Sequence, residues 1–151
     1  MSQPNSAASI SSSIASASKD VQELYRKALH TRENSHSPYS KCKVGAAIKT
    51  SDGNIYSGCN VENASYGGSI CAERSAIVKA VSDQGAIKIK EVMVVTDAAP
   101  PWPPCGMCRQ VMAEFGSETV IYLANVKGDL NIMTFQEIFP QAFTASQLPA
   151  K

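Results

Sequence analysis

The stretch EVMVVTDAAPPWPPCGMCRQVMAEF, residues 91–115, carries the pattern that decides the fold. Residues 91–96 hold an unbroken apolar run, which predicts a strand buried on both faces beneath covering helices. The prolines that follow require a loop over residues 97–105. Apolar residues at helical spacing then predict a helix over residues 105–115.

The flanking segments extend this alternation of strands and helices. Helices are predicted over residues 19–31 and 71–82, and strands over residues 44–50, 55–61, 120–124 and 130–133. The turn sequence SDGN joins the first two strands in a hairpin. Thr134 and Glu137 predict a capping box that starts a short last helix, ended by Pro140. The order α-β-β-α-β-α-β indicates an α/β sandwich with at least one right-handed parallel crossover.

Composition and charge limit the classes of partner. The chain has 151 residues, 44% of them hydrophobic and 18% charged, which suits one globular domain with a real core. Fourteen basic residues against 13 acidic ones leave a net charge of +1. This balance gives no electrostatic reason to expect nucleic acid or an anionic membrane as a partner, and the apolar runs are too short to cross a bilayer. We therefore expect neither partner.

The first 18 residues differ from the rest of the chain. They are rich in Ser and Ala and carry no charge, which predicts a disordered tail at residues 1–18 and a folded domain at residues 19–151. An organelle transit peptide is the alternative, but such peptides are rich in arginine and the first arginine is Arg26.

The thiols indicate a metal site. The five cysteines are Cys42, Cys59, Cys71, Cys105 and Cys108. The odd number of cysteines, the C-x-x-C pair and the lack of a secretory leader favour a reducing compartment, for which we expect the cytoplasm. In such a compartment the thiols are free or metal-bound. The C-x-x-C pair alone fits either zinc or a redox dithiol, and its late position after proline favours zinc.

A third thiol and a carboxylate extend the candidate site. Cys71 begins the other long core helix, and a parallel arrangement brings both helix N-termini to one edge of the sheet. Three ligands leave a position open, as in catalytic zinc sites, whereas Cys59 or His36 as a fourth ligand would make the site structural. Glu73 is either an ordinary first-turn glutamate or a proton carrier beside the metal.

These motifs carry a resemblance to a known family. Cys71-Ala72-Glu73 followed by Pro104-Cys105-Gly106-Met107-Cys108 resembles the signature of the zinc nucleobase and nucleoside deaminases. Together with SPYSKCKVGAA (residues 37–47) and GCNVENASY (residues 58–66), it is similar to the small homotetrameric cytidine deaminases. The resemblance covers nearly all of the chain after residue 19. It implies a three-layer α-β-α sandwich with a mixed sheet.

The resemblance also implies roles for individual residues. One Zn²⁺ per subunit would be held by Cys71, Cys105 and Cys108, with Glu73 as the proton shuttle. The residues implied in substrate or thiolate contacts are Asn60 and Glu62 at the ribose, the Ala72 main chain at the base, Phe143 in a neighbouring subunit's pocket, and Arg74 at the ligand sulfurs. Three thiolates leave Zn²⁺ a poor Lewis acid, and a guanidinium that withdraws charge from the sulfurs would correct this.

One position departs from the family pattern. Cys42 stands where the family usually has an aromatic ring against the base, and the loss of a stacking surface worth about 1–3 kcal/mol would weaken cytidine binding or admit a bulkier base. Trp102 is either a wall of the pocket or a hydrophobic plug of the proline-rich loop. Arg109 is either a second arginine near the sulfurs or a surface charge.

The resemblance implies hydrolytic deamination of cytidine and 2′-deoxycytidine in pyrimidine salvage, by a homotetramer. Three alternatives remain at this point: a deaminase of another cytosine-containing compound or nucleoside analogue, a deaminase of polynucleotides, and a non-catalytic binding module stabilised by zinc. The balanced charge disfavours the polynucleotide enzyme. If the chain were such a binding module, its zinc would have four protein ligands, and loss of Glu73 would leave its function unchanged.

Overall fold

The computed structural model describes residues 12–149. Its helices are α1 (Lys19–Arg32), α2 (Ala72–Gln84), α3 (Gly106–Phe115) and α4 (Phe135–Ile138). Its strands are β1 (Ser12–Ser13), β2 (Gly45–Thr50), β3 (Ile55–Cys59), β4 (Ile89–Thr96), β5 (Val120–Asn125) and β6 (Asp129–Thr134). Three short 3-10 turns complete the secondary structure, at Ile14–Ser16, Tyr66–Gly68 and Ala145–Gln147.

The six strands form one mixed sheet in the order β1-β6-β5-β4-β2-β3. Strands β4 and β5 are parallel and joined through α3, and the other neighbours are antiparallel. The apolar run in β4 faces both layers of the core. Val92 and Val94 pack towards α2 and α3, whereas Met93 and Val95 pack towards α1. The predicted three-layer α-β-α sandwich with a mixed sheet is confirmed, and so is the parallel crossover.

The predicted elements are present, with small changes at their ends. Strand β3 ends at Cys59 instead of residue 61, because the chain turns away and only Val61 makes isolated bridges, to His36 and Ile70. The capping box of Thr134 and Glu137 is present at the start of α4. In the described part of the chain, no helix combines the length and the apolar character that crossing a membrane requires.

Residues 12–18 of the predicted tail contact the folded domain. Ser12 and Ser13 pair with β6, and the Ile14 amide donates to the Gly128 carbonyl at 2.8 Å. Ile14 is buried in the core between the sheet and α1, because a single apolar residue in a polar segment is enough to dock it beside an edge strand. Residues 1–11 of the predicted tail lie outside the described residues.

The strand directions place two helix N-termini at the same edge of the sheet. Strand β2 is antiparallel to both β3 and β4, so β3, β4 and β5 all run in one direction. Helix α2 follows β3 and α3 follows β4, so both helices begin at the carboxyl ends of these strands. Open α/β sheets bind their ligands at such an edge.

Two glycines let the helices approach the sheet closely. A Cβ at Gly45 would lie 2.0 Å from the Ala28 carbonyl oxygen in α1, and a Cβ at Gly58 would lie 2.5 Å from the Ala76 nitrogen in α2. Both neighbours are backbone atoms, which cannot move aside as a flexible side chain would. The absence of a side chain at Gly58 therefore sets the distance between β3 and α2, and with it the position of the first turn of α2.

We predict that Gly58→Ala destabilises the fold by about 1–3 kcal/mol or more, because the added methyl group overlaps the α2 backbone. Gly67→Ala is the matched control, since a Cβ at Gly67 has nothing within 4 Å. Its effect should stay within about 0.5 kcal/mol. Urea denaturation followed by circular dichroism measures both, and equal stabilities of the two variants would contradict the close approach.

Candidate active site

Three cysteine sulfurs meet where the two helices begin. Cys71 is the N-cap residue of α2, Cys105 is the N-cap residue of α3, and Cys108 lies in the first turn of α3. The three Sγ atoms lie within 4.8 Å of one another, and those of Cys71 and Cys105 are 3.9 Å apart. The cysteines are free thiols, so the cluster contains no disulfide and its sulfurs are available to a metal ion.

The donor set fits zinc. Zn–S bonds of about 2.3 Å in tetrahedral geometry place two sulfurs about 3.8 Å apart, close to the Cys71–Cys105 separation. Among residues 12–149, these three are the cysteine, histidine or carboxylate side chains grouped closely enough to hold a metal ion. Cys59 and His36, the candidate fourth ligands, are outside the group. Three protein ligands leave one position of a tetrahedron for water or substrate.

The surroundings of the cluster stabilise thiolates. The partial positive charge of two helix N-termini lies at the sulfurs. Hydrogen bonding from Cys108, assisted by Arg74 and Cys105, lowers the pKa of Cys71 to about 5. The same hydrogen bond, together with burial, raises the pKa of Cys108. The Arg74 Nη2 atom lies 3.8 Å from the Cys71 sulfur and also donates to the Ser69 carbonyl at 3.2 Å. Arg74 is thus held where its charge acts on the sulfurs.

Glu73 lies beneath the cluster in the first turn of α2 and is buried. Burial, together with the neighbouring Cys71, raises the pKa of its carboxyl group to about 7. The Glu73 side chain lines a cavity of about 180 Å³ together with Cys71, Ala72 and Cys105. A carboxyl group with a pKa near 7 can both accept and release a proton at neutral pH.

A second and larger cleft of about 440 Å³ adjoins the first, and Asn60 and Cys71 line both. Glu62 lines the larger cleft. The rings of Tyr39 and Tyr66, also in its wall, meet edge to face with centroids 5.8 Å apart. The structure therefore brings the two predicted ribose contacts to the same cleft, just beyond the end of β3.

Glu62 and Asn60 have protein partners as well as a place in the cleft. Glu62 accepts hydrogen bonds from the Ser40 hydroxyl and from the amides of Tyr39 (2.9 Å) and Ser40 (3.2 Å). The Ser40 hydrogen bond is the main reason that the pKa of Glu62 is lowered. Glu62 is therefore a carboxylate at neutral pH, with acceptor capacity left on Oε1.

Asn60 joins three parts of the segment that precedes β2. Its Oδ1 atom accepts from the Ser35 hydroxyl and from the Val44 amide at 2.9 Å, and its Nδ2 atom donates to the Cys42 carbonyl at 2.8 Å. One N–H of the side-chain amide is left for a ligand. Asn60 therefore shapes the cleft wall in addition to facing the cleft.

Two of the residues predicted to contact substrate are not brought to the cavities of a single chain. Cys42 lies in neither cavity of the described part of the chain, and its sulfur donates to the Ser40 carbonyl at 3.5 Å. Phe143 is 57% exposed beyond α4, and its carbonyl accepts from Gln110. Both roles remain predictions.

The structure decides between the alternatives for two further residues. Trp102 lines the cavity that contains Glu73, so it is a wall of the pocket and not a plug of its loop. The Arg109 side chain is partly buried and is engaged with main-chain carbonyls. It donates to the carbonyls of Pro104 at 2.8 Å and Ile138 at 2.6 Å, which ties the start of α3 to the end of α4.

Residues that sequence reasoning missed include Ser40 and Ser69, which both line the larger cleft. Ser40 orients Glu62 through its hydroxyl, and Ser69 holds Arg74 through its carbonyl. Ser40 lies inside the quoted SPYS motif, and this was the available signal for it. A main-chain carbonyl such as that of Ser69 leaves no signal in a sequence.

Comparison with known proteins identifies the family. A family model described as the cytidine and deoxycytidylate deaminase zinc-binding region matches residues 18–124. The chain belongs to this deaminase family. The matched region contains the three cysteines, Glu73 and both of the predicted ribose contacts, Asn60 and Glu62.

Relatives and solved structures agree with membership of the deaminase family. A cytidine deaminase of Halalkalibacterium halodurans is 46% identical over 130 residues, which covers 85% of this chain and 98% of the relative. One from Sporosarcina psychrophila is also 46% identical, over 85% of this chain and 95% of the relative. The crystal structure of the Burkholderia pseudomallei cytidine deaminase superposes with a TM-score of 0.77 at 41% identity, over 81% of this chain and 98% of that one.

We predict that this deaminase binds about one zinc per chain and loses it when any of the three clustered cysteines is changed to alanine, because two thiolates and water hold zinc weakly. Cys42→Ala and Cys59→Ala are the matched controls and should retain the metal. Zinc is measured by elemental mass spectrometry after gel filtration. Loss of zinc from Cys59→Ala would show a fourth ligand and a structural site.

Proposed function

We propose that the protein hydrolyses the exocyclic amine of cytidine and 2′-deoxycytidine to give the uridine products and ammonia. The observation that carries this function is that a buried carboxyl group, that of Glu73, and two members of the three-thiol cluster, Cys71 and Cys105, line one small cavity. A zinc-dependent hydrolysis requires this combination: a metal site that can accept a water molecule and a group that moves the protons of that water.

Cys71, Cys105 and Cys108 would hold the zinc. When bound, Zn²⁺ supplies a Lewis acid that lowers the pKa of a water ligand. Glu73 takes a proton from the attacking water, delivers it to N3 of the pyrimidine, and then helps to protonate the leaving amine. Its burial favours these transfers, because a carboxyl group with a raised pKa returns a proton as readily as it accepts one.

The larger cleft would bind the sugar. Glu62 offers a carboxylate oxygen to a ribose hydroxyl, and the adjacent Asn60 offers its remaining amide hydrogen. The hydrogen bonds that Glu62 receives from the Tyr39–Ser40 backbone hold the carboxylate in place before the substrate arrives. Such preorganisation reduces the entropy that binding costs.

The site supports a nucleoside better than the alternatives. The proposed contacts of Asn60 and Glu62 would bind one sugar. A polynucleotide requires a basic surface, which a net charge of +1 does not favour. A buried glutamate beside the cluster does not suit a zinc-stabilised binding module either. Burying a carboxyl group is costly unless it has a function there.

We predict that the zinc-loaded protein converts cytidine to uridine and that Glu73→Gln lowers kcat by about 10²–10⁴-fold or more. Glutamine preserves the shape of the side chain but cannot carry the proton. The measurement is the ultraviolet change on deamination, with the zinc content of both proteins determined in the same samples.

The substrates of this assay separate the remaining functions. Cytidine, 2′-deoxycytidine, free cytosine, a base-modified cytidine and a cytosine-containing single-stranded oligonucleotide are each supplied to the parent protein. Turnover of the nucleosides alone supports the proposed function, and turnover of another compound in preference to them identifies the alternative. If the zinc-loaded protein turns over none of these compounds, the catalytic function is excluded and the zinc site is structural.

We also infer that four chains assemble and that the enzyme acts in pyrimidine salvage in the cytoplasm. Support for assembly comes from Phe143, which is exposed and lies away from its own cleft, and from Val78 and Val81, exposed on the outer face of α2. Support for a reducing compartment comes from the five free thiols.

We predict a particle of four 16.1 kDa chains, as measured by light scattering after gel filtration. Phe143→Ala should raise the KM for cytidine by about fivefold or more if its ring completes a neighbour's pocket. Leu148→Ala is the matched control, because Leu148 is also 57% exposed near the C-terminus. A monomeric parent protein would contradict the assembly, and an equal effect of both variants would contradict the role of Phe143.

A further inference from the structure

The loop between β4 and α3, residues 97–104, carries Trp102, the single tryptophan of the chain. Trp102 lines the 180 Å³ cavity with Glu73 and Cys71, yet it is 51% exposed. An indole ring offers a large apolar contact area and loses little conformational freedom on binding. A half-exposed indole at the mouth of a cavity can therefore contact a ligand without repacking the core.

The fold sets the position of this ring. Four contacts hold the loop: the ion pair of Arg32 with Asp97, and hydrogen bonds from Asn125 to the Ala98 carbonyl (3.2 Å), from the Trp102 amide to Thr96 (3.5 Å) and from Arg109 to the Pro104 carbonyl (2.8 Å). The prolines on both sides of Trp102 restrict the backbone further. All four contacts use the backbone or Asp97, so they fix the loop and leave the indole available.

The two cavities differ in a way that assigns the base and the sugar. The larger cleft carries several hydrogen-bonding groups, among them Glu62 and Ser40, beside two tyrosine rings. The smaller cavity contains Glu73 and two of the three thiols, and Val44 and Val94 give it apolar walls. A hydroxylated sugar matches the first lining and a flat aromatic base matches the second. Trp102 belongs to the cavity that suits the base.

We propose that Trp102 is a base-binding residue whose indole packs against the pyrimidine ring of the substrate. The inference rests on the proposed function, because it takes the ligand to be a pyrimidine nucleoside. Contact between a base and an aromatic ring is favourable for any base, so the indole contributes affinity rather than a hydrogen-bond pattern. Its loss weakens substrate binding and leaves the proton transfers by Glu73 unaffected.

Because Trp102 is the single tryptophan, the fluorescence of the protein reports its surroundings directly. Uridine, the reaction product, is titrated into the zinc-loaded parent protein, so that no turnover occurs during the measurement. The indole is excited at the red edge of its absorption band. We expect a saturable change in emission whose midpoint equals the inhibition constant of uridine against cytidine. Ribose is the control and should leave the emission unchanged.

Kinetics of variants test the same contact through substrate. Trp102→Ala should raise the KM for cytidine about tenfold with kcat within about twofold, as expected for the removal of binding that ground state and transition state share. A tenfold change corresponds to about 1.4 kcal/mol. Trp102→Phe should restore most of the affinity, because a ring remains. Ile132→Ala, which truncates a residue of similar exposure (47%) on β6, should match the parent.

Two results would overturn the inference. The first is an emission that stays constant at uridine concentrations that inhibit deamination. The second is a Trp102→Ala variant with the KM of the parent. If the parent protein turns over none of the nucleosides, the proposed function fails separately. The emission titration with uridine then decides the role of Trp102, since it does not require turnover.

Discussion

The convergence of two helix N-termini at one edge of the sheet is the constraint on which the site depends. Three sulfurs from α2 and α3 lie within 4.8 Å of one another, and this is feasible only because β3, β4 and β5 run in the same direction. The helix dipoles and Arg74 offset the negative charge that three thiolates would concentrate there. The same convergence places Glu73 beneath the cluster, where burial raises the pKa of its carboxyl group.

The wall opposite the cluster is built from polar residues that also stabilise the chain. Asn60 joins Ser35, Cys42 and Val44, and Glu62 accepts hydrogen bonds from the Tyr39–Ser40 segment. These contacts shape a segment without regular secondary structure, so the cleft has defined walls although no helix or strand forms them. Substitution of Asn60 or Glu62 would therefore change the shape of the cleft and also remove a polar group that faces it.

The proline-rich loop depends on residues distant in sequence. Arg32 in α1 pairs with Asp97, and Arg109 joins Pro104 to Ile138. Neither role can be predicted from the local sequence, because the pattern around a charged helix residue is the same whether its side chain is solvated or buried. Only the packing of α1 and α4 against the sheet reveals that these guanidinium groups hold the loop.

The sequence alone determined the elements and the candidate thiols, because hydrophobic period, turn residues and cysteine spacing are local properties. The three layers and the roles of the site residues followed from the resemblance of its motifs to a known family. Tertiary structure decided what depends on contacts across the chain. It docked residues 12–18 through Ile14, excluded Cys59 and His36 from the thiol cluster, and put Trp102 in the wall of the cavity. Local patterns specify what each segment can form, whereas the distances between segments arise only when the layers pack.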